Sequence, residues 1–381
     1  MDEFIIYGFF PIILLTNFQN LNLSQSSKQF IRFYIGFIVC VFISTFFGYF
    51  TLGVPTSIRD FFEIVTILKY LLVFLTIYSF KITLPEIKQI IYFILFAIII
   101  SGIFGLFQYF GVLGLDDITG PLFLQDRIHI IHKRLTGTYL NPNTYSAILV
   151  TGHLIALGLF FFEEEKAKKT LLLIFIALLS IFLLFAGSRT MIAAYFLVTV
   201  IMTLIGAYKA GYKASQILTV LLILVLAFIS AISLISYEIF IRLQSGLDIF
   251  SDTSFALRLV AWYLNILIFL QSPIVGWGPA KAIHTTVVDS EYIFILRRYG
   301  VVGFITYLSI YIHPLITAYK QLKNKSKISL LYSSIIFCVI ITYLIANLTN
   351  TLFHNNQVMD FWMVFLALFY KVLDSKMSES V

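Results

Sequence analysis

Apolar residues in this chain come in runs of about twenty, separated by short polar stretches, the length a helix needs to span a bilayer. Such runs recur at residues 30–54, 62–80, 89–113, 144–162, 171–187, 190–207, 216–235, 291–319 and 328–347. Shorter runs lie at 4–16 and 358–370, and the run at 259–275 is short and contains Asn265. The pattern predicts an all-α fold, a polytopic transmembrane helical bundle of about 11–12 spans. Residues 1–381 read as a single integral-membrane domain, with no internal repeat and no soluble domain. The run at 259–275 reads as a re-entrant or surface helix. The first run follows Asp2 and Glu3, not a basic region, and lacks a small-residue cleavage site, so it does not read as a signal peptide.

Composition removes the soluble alternative. Of the 381 residues 60% are hydrophobic and only 12% charged, against about 25% charged in soluble domains. The mean hydropathy is +0.96, so the bilayer must act as solvent. The net charge of +7 would suggest nucleic acid in a soluble protein. Here Lys and Arg sit mostly in short loops between apolar runs, where they set topology, and no nucleic acid is expected as a partner. The loops 163–169, 208–213 and 320–327 hold three, two and four lysines, which places them inside. The spans then alternate, provided 259–275 does not cross fully, with fifteen basic residues inside and seven outside. Two long segments fall outside, 114–143 and 236–290, and long loops on one face usually carry function. Cys40 and Cys338 both lie in apolar runs and read as neither disulfide nor metal ligands.

The candidate chemistry lies in polar groups that a bilayer makes expensive. Arg189, in Gly187-Ser188-Arg189-Thr190, sits at a tight outer turn. It reads either as an anion ligand or as an arginine reaching the headgroups. Lys69 lies mid-span and is expected to pair with Glu63 or with an acid on a neighbouring helix. Arg127, Lys133 and Arg134 cluster on the outer side, against the topological rule, which points to an anionic ligand. His129 and His132 are three apart but have no third ligand, so no metal site is read there. Asn141-Pro142-Asn143 signals a helix start and also offers two amides to a ligand. Arg258 and Trp262 are at helical spacing, Pro273 through Gly278 and Pro279 break that helix, and His284 follows. Asp289-Ser290-Glu291-Tyr292 opens the next span and reads as an N-terminal cap, as a site for sugar hydroxyls, or as both. Of Arg297 and Arg298 just beyond, at least one must turn inward.

Taken in order, these blocks resemble the O-antigen ligase and polymerase family of bacterial membrane glycosyltransferases. The resemblance rests on Gly137 through Asn143 with Tyr145 and Ser146, on Gly187 through Thr190, on Arg258 with Trp262, on Pro273 through Gly278, and on Tyr299-Gly300 with Gly303. It covers about residues 130–310. Ligases of the family carry a functional histidine about eleven residues before the glycine that Gly300 matches. Asp289 stands there, so the chain is more similar to the polymerase branch, and His284 lies five residues upstream.

The resemblance implies a fold of the GT-C type in the bacterial cytoplasmic (inner) membrane, with its active site on the extracytoplasmic face. It implies transfer of a growing glycan from polyprenyl pyrophosphate to a new lipid-linked repeat unit, inverting, with no metal and no cofactor. The implied partners are the polyprenyl-pyrophosphate-linked oligosaccharide, membrane lipid, a chain-length regulator and a flippase. No Asp-x-Asp motif is present, so protein cations are expected to hold the leaving pyrophosphate. The expected catalytic residues are Arg189 and Arg258 as a pyrophosphate clamp, with Asp289 or Glu291 serving the acceptor hydroxyl. Arg134, Asn141, Asn143, Trp262, His284, Tyr292 and Arg298 are expected to bind substrate. The rival readings are a ligase that joins finished polymer to lipid A core, and a flippase or transporter of lipid-linked sugars. Transport predicts paired repeats and broken helices, and the sequence has no repeat.

Overall fold

The structure is a computed structural model that describes residues 2–55, 57–115, 117, 120, 134–139, 141–209, 211–213, 215, 218, 222, 253–285, 288–323 and 326–379. Among the described residues it is all-helical, with no strand. The helices are α1 (Asp2–Thr16), α2 (Gln25–Thr51), α3 (Ile58–Ser79), α4 (Leu84–Tyr109), α5 (Pro142–Phe162), α6 (Lys166–Ala186) and α7 (Arg189–Lys209). They continue as α8 (Thr253–Gln271), α9 (Glu291–Gln321), α10 (Lys327–Ala346) and α11 (Asn356–Glu379). Eight of them, α2 to α7 with α9 and α10, are long and apolar enough to cross a membrane. The protein is thus a polytopic helical bundle. The expected span at 216–235 lies outside the described residues, two positions excepted.

Local signals set the helix ends. The Ser24 and Ser57 side chains accept the N–H groups of Ser27 and Arg59 at the starts of α2 and α3. Asn141 caps α5 through the Thr144 N–H at 2.9 Å, with Pro142 in the first turn. The helix α6 stops at Gly187, whose left-handed conformation closes the last turn onto Leu183 and Leu184.

The chain forms two compact units. The first is Met1–Leu84, Thr253–Thr317 and Asn347–Val381, and the second is Pro85–Asp252 and Ala318–Ala346. In the first, α3 packs against α1, α2 and α11. Its core is aromatic, with Phe37 against Phe353 at 5.4 Å and Phe30 against Tyr370 at 5.5 Å between ring centroids. In the second, α5 is buried nearly all round against α6, α7 and α10, its polar Ser146, Thr151 and His153 included. Large side chains such as Phe50 in the first unit and Phe93 in the second, 83% and 74% exposed, point away from both cores. Only lipid solvates such residues well.

Polar pairs gather at the helix ends. In the second unit Glu163, just past α5, accepts from Lys88 at 2.9 Å and Tyr92 at 3.0 Å, and Lys327 pairs with Glu164 at 2.8 Å. In the first unit Asp374 accepts from Ser27 at 2.7 Å and from Tyr78. The opposite end of that unit holds Glu63, Glu291 and His354.

The region of α8 and α9 departs from regular spanning helices. Arg258, near the start of α8, pairs with Asp289, just before α9. Seven residues further along α8, Asn265 meets Arg297, eight beyond Asp289. The two helices therefore start at the same end and run in the same direction. The short apolar run at 259–275, expected as a re-entrant or surface helix, lies within and just beyond α8.

Where the chain turns back, α9 is broken. Gly300 has φ 62° and ψ −168°, a conformation closed to residues with a side chain, and a Cβ there would collide with the Ile274 carbonyl. The turn after α8 fills the gap. Trp277 and Gly278 donate to the carbonyls of Arg297 and Arg298 at 3.2 and 2.7 Å. Pro273 and Ile274 accept from Val301 and Val302 at 2.8 and 3.3 Å. The Ser44 hydroxyl of α2 holds the same turn through the Val275 carbonyl at 2.6 Å. Interrupted backbone at membrane depth is tolerated only where protein supplies the missing hydrogen bonds, and here it does.

Candidate functional site

Three carboxylates and three basic side chains meet at the Glu291 end of the first unit. Glu63, on the second turn of α3, is 4% exposed. Its carboxylate accepts from Arg298 at 2.5 Å and from the Tyr299 hydroxyl, and pairs with Lys281 at 2.9 Å. One turn earlier, Asp60 accepts the Lys281 backbone N–H at 3.0 Å and so anchors the returning segment. Glu291 is fully buried and lies 2.5 Å from Nδ1 of His354, while the other imidazole nitrogen lies 3.2 Å from Glu63. His354 thus bridges two carboxylates. Burial acts against its charged form, but Glu291 and Glu63 outweigh that and raise its pKa above the usual imidazole value.

The sequence builds this bridge from the loop between α10 and α11. The Glu291 N–H donates to the carbonyls of Asn347 and Asn350 at 2.9 and 3.2 Å, and its second carboxylate oxygen accepts the Phe353 N–H at 3.0 Å. The start of α9 is therefore stitched to that loop, and the stitching presents His354. Phe294, one turn on, stacks under the Arg298 guanidinium at 3.7 Å and meets the His354 ring edge-on at 4.7 Å. A cavity of about 310 Å³ opens among Glu63, Tyr70, Lys281, Phe294, Arg298 and His354. It joins a proton-accepting pair to cations and an aromatic face, which suits a ligand bearing hydroxyls and negative charge. Among the described residues no three His, Cys, Asp or Glu side chains are arranged to hold a metal ion.

The expected site residues divide between the two units. In the first, Arg298 and Glu291 belong to the cluster just described. Arg258 and Asp289, assigned opposite roles from the sequence, form an ion pair at 3.2 Å, with the Asp289 side chain half-exposed. Trp262 meets Phe255 on its own helix edge-on at 6.2 Å. Tyr292 packs edge-on against Phe304 and Tyr307. His284 lies against Trp277 at 5.1 Å, and burial together with Arg297 and Arg298 lowers its pKa, which keeps it neutral. Both Arg297 and Arg298 turn inward, at 1% and 5% exposure. Lys69 pairs with Asp360 of α11 at 2.9 Å, the neighbouring-helix acid and not Glu63.

In the second unit, buried Arg134 donates to the Ala186 carbonyl at 2.8 Å and to the Asn143 side chain at 2.9 Å. Asn141 serves as the cap of α5, and Arg189 is half-buried as the first residue of α7. Arg127, His129, His132 and Lys133 lie outside the described residues.

Two residues at the centre of the cluster, Glu63 and His354, carried no functional expectation from the sequence. An acid inside an apolar run is a signal in itself, and it had been read only as a partner for Lys69. His354 sits in Thr349-Asn350-Thr351-Leu352-Phe353-His354-Asn355-Asn356, a polar break between apolar runs, with nothing local to tie it to α3. No known protein family matches the chain, and no curated protein matches it either.

Proposed function

We propose that this protein is a polysaccharide polymerase of the bacterial cytoplasmic membrane, a glycosyltransferase that moves a growing glycan from polyprenyl pyrophosphate onto a new lipid-linked repeat unit. The observation that carries the reading is the cavity in which Glu63 and His354 stand beside Arg298 and Lys281. The acceptor hydroxyl needs a proton acceptor, and the Glu63–His354–Glu291 chain supplies one. The leaving pyrophosphate gathers negative charge, and fixed cations in a partly dehydrated site stabilise it. Asp289, half-exposed and paired with Arg258, does not line that cavity and is the alternative base. The cavity faces the extracytoplasmic side in this reading, because the lysine-rich loops lie at the other helix ends.

A second reading has one observation in its favour. A broken helix and a short neighbour are common in transporters of polar cargo, so a flippase of lipid-linked sugars also fits α8 and α9. A gel of lipid-linked and surface glycans from cells lacking the protein separates the readings. Collapse of the ladder to a single repeat unit on its acceptor is the result expected of a polymerase. A complete ladder left on polyprenyl pyrophosphate would mean a ligase. Repeat units trapped on the cytoplasmic face would mean a flippase.

A further inference from the structure

The three lysine-rich loops that set the orientation of the chain meet in the second unit around one cavity of about 510 Å³. Lys169 of α6, Lys209 at the end of α7, Tyr212 just beyond it and Lys327 at the start of α10 all line it. The turn after α7 shapes one wall. Gly211 is left-handed, with φ 80°, and the Tyr212 N–H folds back onto the Ala207 carbonyl at 2.9 Å. Tyr212 then meets Phe161 of α5 edge-on at 5.7 Å, and its hydroxyl accepts from Lys169 at 3.3 Å.

The carboxylates that line the cavity already have partners. Glu163 accepts from Lys88, from Tyr92 and from the N–H groups of Glu164 and Glu165, and Glu164 pairs with Lys327. Lys169 and Lys209 form no salt bridge with any acid among the described residues. The Lys169 ammonium lies 5.9 Å from the ring centroids of Phe160 and Tyr212, and that of Lys209 lies 5.9 Å from Tyr208. Two positive charges thus border one cavity with no negative counterpart. They repel each other, and an anion between them offsets that repulsion.

Position selects the kind of anion. The cavity lies at the ends of helices long and apolar enough to cross a membrane, which is the depth of the headgroups. Leu173, Leu204 and Ile328 lie within five residues of its lysines on the same helices, and all three are exposed. Lysines at a cavity with exposed apolar side chains beside them suit a ligand whose phosphate is joined to acyl chains. We propose that this cavity binds the headgroup of an anionic phospholipid, with Lys169 and Lys209 on its phosphate and Tyr212 fixing Lys169. The proposal does not depend on the glycosyl-transfer reading.

Delipidated full-length protein in detergent, titrated with phosphatidylglycerol and followed by native mass spectrometry, tests it. Saturable binding is expected, with phosphatidylglycerol preferred to phosphatidylcholine. Lys169→Gln combined with Lys209→Gln should weaken it by about tenfold or more. Lys28→Gln combined with Arg32→Gln removes two exposed charges from α2 of the first unit and should leave it unchanged. Equal losses in the two double variants would mean attraction by net charge alone and would overturn the site. Full affinity without Lys169 and Lys209 overturns it too, as does equal binding of phosphatidylcholine. Glycerophosphate carries the same phosphate without the chains, and at equal concentration it should fail to displace the lipid. Displacement would overturn the lipid as occupant and assign the cavity to a soluble phosphate ester. If the Lys169 and Lys209 double variant does not fold, the two single variants take its place, and unchanged affinity in both overturns the proposal equally.

Discussion

Glu63 stands at the centre of the polar cluster, and its neighbours set what its removal does. Arg298 and Lys281 both depend on this carboxylate, and Arg298 is buried. Glu63→Gln is expected to cost about 3–5 kcal/mol, because it leaves a buried guanidinium uncompensated. It should also abolish polymer formation at temperatures where the variant remains folded. Asp289→Asn breaks a half-exposed pair and should cost less than about 1 kcal/mol. Measuring unfolding midpoints and glycan ladders for both variants checks the contrast, and the reverse order of effects would return the role of base to Asp289. His354 adds a pH dependence. Its folded pKa is raised, so the stability it contributes is complete below the free imidazole value and is lost as pH rises through the raised one. The thermal midpoint in detergent should therefore fall as pH rises from about 6.5 through the raised value, and His354→Gln should flatten that slope. A slope unchanged in the variant would assign the titration elsewhere.

At the scale of elements, the motif Pro273 through Gly278 and the pair Tyr299-Gly300 turn out to be two halves of one device. Their order was legible in the sequence, but their contact was not. Gly276 and Gly300 each remove a side chain where backbone meets backbone, Gly276 against the Arg298 carbonyl and Gly300 against that of Ile274. Gly300→Ala should cost at least about 1–3 kcal/mol from its backbone conformation alone. It should also displace Arg297 and Arg298, whose carbonyls hold the turn, so activity should fall further than stability. Equal kcat in a Gly300→Ala enzyme that is only less stable would show that the break does not position the arginines. The apolar runs predicted the helices well, because a bilayer permits few alternatives. The short helix α8 was legible too, since Asn265 interrupts its apolar run. What remained hidden was long-range: nothing in the local pattern ties His354 to Glu63, or Lys69 to Asp360.

Across the whole molecule, alternation of the helices predicts which ends share a side of the membrane. Ile58, 71% exposed at the start of α3, should face outside, and Lys327, whose side chain is 75% exposed at the start of α10, should face inside. With Cys40 and Cys338 replaced by alanine, Ile58→Cys in intact cells should react with an impermeant maleimide. Lys327→Cys should react only after permeabilisation, and the opposite pattern would invert the topology. Assembly follows a constraint of its own. The ribosome delivers the turn at 273–278 before α9, and α9 cannot satisfy its carbonyls at Arg297 and Arg298 without that turn. A translocon that releases α9 alone into lipid would expose bare peptide groups, so α8 has to wait beside the channel until its successor arrives. Biogenesis of this segment is therefore expected to be pairwise, the turn at 273–278 and α9 entering the membrane together.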